Sequence, residues 1–157
     1  MQFVVDASVA VKWIFPAEER EPDVSKALAV LQEIQSAEVQ ILQLPHWLAE
    51  VSAVVSHVAP ESVREAVGVL YAMEIPVSDS LEIYNRACEL AVQLGYHVFD
   101  TLYHAVALCS AETLLLMADE RYYRKAKPTG CISRLAEFRS SLSPRGLTGR
   151  TLPQSSY

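Results

Sequence analysis

Four acidic side chains stand where an acid is out of keeping with its surroundings. Asp6 ends the apolar run from Gln2 to Val5, and Asp119 follows closely on the run from Thr113 to Met117. Asp100 opens a stretch, Thr101 to Ala111, that reads as a buried helix. Glu50 lies three residues after Trp47 and four before Val54, on the border of an apolar stripe. Carboxylates gathered in one place repel one another, and their pKa values rise unless a cation compensates. Oxygen-only ligands suit a hard ion, so Mg²⁺ or Mn²⁺ is expected rather than zinc. Such ions orient a phosphodiester, activate water and stabilise the leaving oxygen. Asp6, Glu50, Asp100 and Asp119 therefore form a candidate catalytic metal site. Two of them also have plainer readings. Asp6 suits a helix start together with Ser8, and Glu50 suits an exposed edge of its stripe.

The elements that must position these acids alternate in type. Gln2–Val5 reads as a buried strand, and Ala7–Phe15 as a helix closed before Pro16. An acidic linker, Glu18–Asp23, precedes a helix over Val24–Ile34, where Val24, Ala27, Leu28, Leu31 and Ile34 follow helical spacing. Val39–Leu44 reads as a second strand. Pro45 opens a helix to Val58 that carries Glu50, and Pro60 opens another to Met73. Ile75–Val77 is a brief extended piece. Asp79 and Glu82 form a capping box for a helix ending at Gly95. The helix after Asp100 and the strand Thr113–Met117 follow, then a short basic helix, a turn at Pro128–Gly130 and an edge strand at Cys131–Ile132. Strands alternating with helices predict an α/β layered fold with a mainly parallel sheet. Ligands of such sheets collect at the carboxyl ends of strands, where Asp6 and Asp119 fall.

A chain of 157 residues, half of them apolar, suits one globular domain with a substantial core. Cys88, Cys109 and Cys131 have no CxxC spacing and read as small core hydrophobes, which fits a reducing cytoplasm. No targeting segment and no membrane helix are expected. Charge is split along the chain. Residues 1–119 hold 5 Lys/Arg against 17 Asp/Glu, a balance of −12; residues 120–157 hold 8 against 2, a balance of +6. The overall acidity counts against broad nucleic-acid binding, whereas the basic end suits a phosphate backbone, an acidic partner or plain solvation. Residues 1–138 make the predicted domain, and 139–157, rich in Ser, Pro, Gly and Arg, read as a basic, mobile tail.

Other chemistries fit poorly. There is no GxGxxG or P-loop. His46, His57, His97 and His104 lack zinc spacing and suit structural roles, and Ser8 has no nucleophile-elbow setting. Tyr122 and Tyr123 suit packing better than base stacking.

Over residues 1–138 the chain resembles the PIN-domain ribonucleases, particularly the VapC-type toxins of bacterial toxin–antitoxin pairs. The resemblance is carried by Val4–Trp13, Pro45–Val51, Phe99–Ala107 and Ala118–Tyr123, four motifs in the right order at matching junctions. It implies a three-layer α/β/α sandwich. Asp6, Glu50 and Asp100 would be the principal metal-site acids, with Asp119 completing the set directly or through water. It further implies hydrolysis of RNA by metal-activated water, a homodimer, and inhibition by a small antitoxin wrapping the helices near the N-terminus. One position departs from the pattern. The family commonly has Thr or Ser two residues before the last acid, and here Met117 stands there, without a hydroxyl to donate. Met117 and the acidic balance motivate a second reading, a PIN-like RNA- or protein-binding module without turnover. A phosphatase or phospho-acceptor using Asp6 is disfavoured, because Ala7 and Ser8 follow it where a DxD motif is needed.

Overall fold

A computed structural model describes residues 1–15 and 23–141. The expected acidic linker, apart from Asp23, and the expected tail beyond Ser141 lie outside the described residues. The elements run β1 (Gln2–Val5), α1 (Ala7–Ile14), α2 (Val24–Gln35), β2 (Gln40–Ile41), α3 (Trp47–Val58), α4 (Val63–Ala72), α5 (Leu81–Leu94), α6 (Val98–Cys109), β3 (Thr113–Met117), α7 (Glu120–Ala126) and β4 (Ile132–Arg134), with 3₁₀ turns at Lys127–Thr129 and Leu135–Glu137.

The four strands form one sheet in the order β2-β1-β3-β4, and every pairing is parallel. Parallel neighbours need crossover connections, which the helices supply. β1 and β3 are the central pair, in register from Gln2 against Thr113 to Val5 against Leu116. They are apolar almost throughout, as strands covered on both faces must be: Val4, Val5, Leu115 and Leu116 are at most 1 % exposed. This is the α/β architecture, with helices flanking a parallel sheet, that the sequence predicts.

Three local expectations shift. The predicted strand 39–44 forms only two ladder residues, after which Gln43 bridges to Val77. Gln43 is fully buried, and its side-chain Nε2 donates to the Val5 carbonyl at 2.8 Å, so a side chain continues what the ladder leaves off. Helix α5 is capped by Ser80 rather than Asp79. Ser80 has the extended backbone of a cap, and its Oγ accepts from Ile83 N–H at 3.3 Å. Of the cysteines expected in the core, Cys109 and Cys131 are half-buried and pack against it, whereas Cys88 is exposed. Cys88 falls one position beyond the Ile83, Ala87 and Leu90 stripe that buries α5.

Candidate active site

Each acid owes its place to the start of a helix. Asp6 follows β1 directly and caps α1: the Ser8 N–H and hydroxyl donate to its Oδ2 at 3.0 and 2.5 Å. Its own N–H donates to the Leu116 carbonyl at 3.0 Å, which locks it to the end of β3. Asp119 caps α7 in the same way, with Oδ1 accepting from the N–H groups of Arg121 at 2.7 Å and Tyr122 at 3.1 Å. Asp100 lies in the first turn of α6, after the cap residue His97. Negative side chains at these positions are favoured by the helix dipole.

The three aspartates share one cleft of about 370 Å³ at the carboxyl ends of β1 and β3, lined also by Ser8, Met117, Ala118 and Tyr122. Asp6 is half-buried, while Asp100 and Asp119 are exposed. The Asp6 carboxyl is held above the usual carboxylate range, first by burial and further by the charges of Asp100 and Asp119; the two Ser8 donors act in the opposite sense. Among the described residues no Lys or Arg forms an ion pair with any of the three.

Glu50, in the first turn of α3, does not line the cleft. It is joined to the site by α6 instead. The buried Tyr103 hydroxyl donates to Glu50 Oε2 at 2.5 Å, and burial together with that carboxylate raises the phenol well above its ordinary pKa, so it stays a donor. The charge of Asp6 is also felt at the Tyr103 hydroxyl. His46 Nε2 lies 3.4 Å from Glu50 Oε1 without hydrogen-bond geometry. The other histidines divide plainly: His57 and His97 are exposed, and His104 is buried beneath the cleft.

His104 organises the cleft floor. Its Nε2 lies 2.7 Å from the Gly130 carbonyl, which only accepts, so Nε2 carries the proton. Nδ1 then accepts from the Tyr122 hydroxyl at 3.2 Å. Burial lowers the His104 pKa and keeps the ring neutral, as this pairing requires. Tyr103, Tyr122, His104 and Gln43 were not singled out as site-supporting residues from sequence. The available signal was polar atoms inside apolar segments, which must find partners when buried.

The donor chemistry suits a divalent ion: oxygen ligands only, three like charges around one cleft and, among the described residues, no Lys or Arg ion-paired with them. The carboxylates do not close into a finished cage. Among the described residues, no group of three or more His, Cys, Asp or Glu stands close enough to hold an ion.

A profile of the PIN domain matches residues 3–128. The chain belongs to the PIN-domain family. PIN domains are in general nucleases, which places this one among hydrolases acting on nucleic acid. No curated protein matches it in sequence. Among solved structures, it is similar to a chain in the crystal structure of VapBC2 from Rickettsia felis bound to a DNA fragment from their promoter, at 16 % identity and a TM-score of 0.60, covering 85 % of this chain and 98 % of that one. At that identity the likeness establishes the fold. No described helix of this PIN domain is long and apolar enough to cross a membrane.

Proposed function

We propose that this PIN domain is a metal-dependent endoribonuclease and the toxin of a toxin–antitoxin pair, acting in the cytoplasm as a homodimer. The observation that carries the nuclease reading is the convergence of Asp6, Asp100 and Asp119, from opposite ends of the chain, on one cleft where, among the described residues, no Lys or Arg is ion-paired with them. Asp6, Asp100 and Asp119 would hold Mg²⁺ or Mn²⁺, with Glu50 reaching the group from beside Tyr103. When bound, such an ion supplies positive charge to a phosphodiester and acidity to water. The chain's own residues do the rest. Ser8 fixes Asp6, the α7 backbone fixes Asp119 through one oxygen, and Tyr103 fixes Glu50. The fold likeness to VapBC2 supports a cognate small antitoxin as partner.

The test is cleavage of RNA by purified, partner-free protein with Mg²⁺, Mn²⁺ or EDTA, beside Asp100→Asn. Asp100 is exposed, so the amide should leave the fold intact. Cleavage that requires metal and disappears in the variant is expected; cleavage indifferent to both sinks the reading. Met117, buried at 4 % exposure and lining the cleft, favours one alternative, an RNA- or protein-binding module without turnover. Tight binding with no metal-dependent cleavage would select it.

A further inference from the structure

Beside the acidic cleft lies a second one of opposite character. It has a volume of about 510 Å³ and is lined by Gly95, Tyr96, Asp119, Arg121, Arg124 and Lys125. That volume is within the ~300–1,000 Å³ of ordinary ligand clefts. Asp119 lines both, so the two adjoin at that residue. Arg121, Arg124 and Lys125 are spaced i, i+3, i+4 on α7 and therefore share a face.

These cations are under-used by the protein. Among the described residues Arg121 has no carboxylate partner. Arg124 is 3.7 Å from Glu120 and largely exposed. Lys125 donates to the Leu94 carbonyl at 3.2 Å and lies over the Tyr96 ring at 5.1 Å. Arg134, by contrast, is consumed by Glu120 and Glu137. Gly95 ends α5 in the left-handed backbone conformation, at φ +67°, that favours glycine. Tyr96 is braced edge-on against Tyr122 at 5.0 Å, which ties the groove to the cleft floor.

A polyanion approaching three aspartates is repelled, and a substrate must be held by positive charge placed just outside them. We propose that Arg121, Arg124 and Lys125 form a non-reacting subsite that grips the phosphates of single-stranded RNA on one side of the bond to be cut. This rests on the nuclease reading above, which it deepens by giving the substrate strand a path.

The test is fluorescence anisotropy of a labelled single-stranded RNA oligonucleotide with the full chain in EDTA, over a salt series. Replacing all three cations (Arg121→Ala, Arg124→Ala, Lys125→Ala) should weaken binding at least about tenfold at moderate salt. It should flatten the slope of log affinity against log salt by about 2, the single-strand value for three phosphate contacts. Arg64→Ala, the loss of one charge from α4, should change the slope by much less than the ~0.7 that one lost phosphate contact would give. Unchanged affinity and slope in the triple variant overturn the proposal, as does an equal effect of Arg64→Ala or an absence of salt-dependent binding by the unaltered chain. The readout does not need turnover. An unaltered chain that binds through these residues but never cleaves keeps the subsite and loses the nuclease; one that cleaves with the triple variant's slope unchanged loses only the subsite.

Discussion

Removing one hydroxyl tests how Glu50 is attached to the site. In Tyr103→Phe the ring stays in the core and only the donor to Glu50 Oε2 is lost. A hydrogen bond to a charged group is worth about 1.5–3 kcal/mol. The Glu50 side chain is 29 % exposed, so water takes up part of the loss, and about 1–2 kcal/mol is expected. For a chain of this size that lowers Tm by about 3–6 °C, or moves the urea midpoint without changing the slope. A double-mutant cycle with Glu50→Ala isolates the bond. Glu50→Ala alone leaves the Tyr103 hydroxyl, buried at 2 % exposure, without its acceptor, so the double variant should recover about 1 kcal/mol against additivity. If Glu50 serves the reaction from this anchored position, RNA cleavage by Tyr103→Phe should fall about tenfold in kcat/KM, roughly 1.4 kcal/mol of transition-state stabilisation. A coupling energy of zero refutes the bond. Full coupling with undiminished cleavage refutes the role assigned to Glu50 and leaves the three aspartates as the working site.

Asp6→Asn should abolish cleavage and yet raise stability. Burial holds the Asp6 pKa above the usual carboxylate range, so the folded chain binds that proton more tightly than the unfolded one. Its contribution is complete below the unfolded pKa and is lost as pH rises through the folded pKa. In EDTA at pH 7.5 the asparagine variant, which can still accept from Ser8, should therefore melt above the unaltered chain, and the gap should close toward pH 3.5; a lower Tm at pH 7.5 contradicts this. Met117→Thr should lower stability by about 1–3 kcal/mol, because Met117 is buried, while the new hydroxyl in the aspartate cleft should raise metal-dependent kcat/KM; an unchanged rate shows that the missing hydroxyl does not limit the site.

The parts of the site legible in sequence are those that local rules determine. An apolar run followed by a lone acid marks the end of a covered strand, and both Asp6 and Asp119 are there. Because β1 and β3 are parallel and in register, the two ends coincide, and α6 delivers Asp100 to the same edge. What escaped notice depends on long-range pairing. Tyr103 and Glu50 are 53 residues apart, and the Gln43 side chain meets the Val5 carbonyl across 38. Neither spacing has a local signature. The capping of α5 slipped by one residue because Asp79 and Ser80 are both good cap residues and only the backbone angles of Ser80 decide between them. The charge reversal near residue 120 was visible as composition, but its meaning depends on which way α7 leaves the sheet.

That direction also explains how one short helix serves two opposite electrostatic tasks. A helix is stabilised by acid at its start and base at its end, each worth about 0.3–1 kcal/mol. Helix α7 follows this rule, with Asp119 capping it and Arg124 and Lys125 in its last turn. The arrangement that steadies the helix thus also sets a carboxylate in the aspartate cleft and cations along the neighbouring groove. Arg121 is the exception: a cation in the first turn opposes the dipole, and no described carboxylate offsets it. Helix stability gives no reason for an arginine there, whereas an anionic strand passing Asp119 does. Arg121→Ala should consequently leave Tm unchanged or slightly raised while weakening RNA binding, and Lys125→Ala should lower both. A parallel loss of Tm and affinity in both variants would mean that the basic face of α7 serves the helix alone.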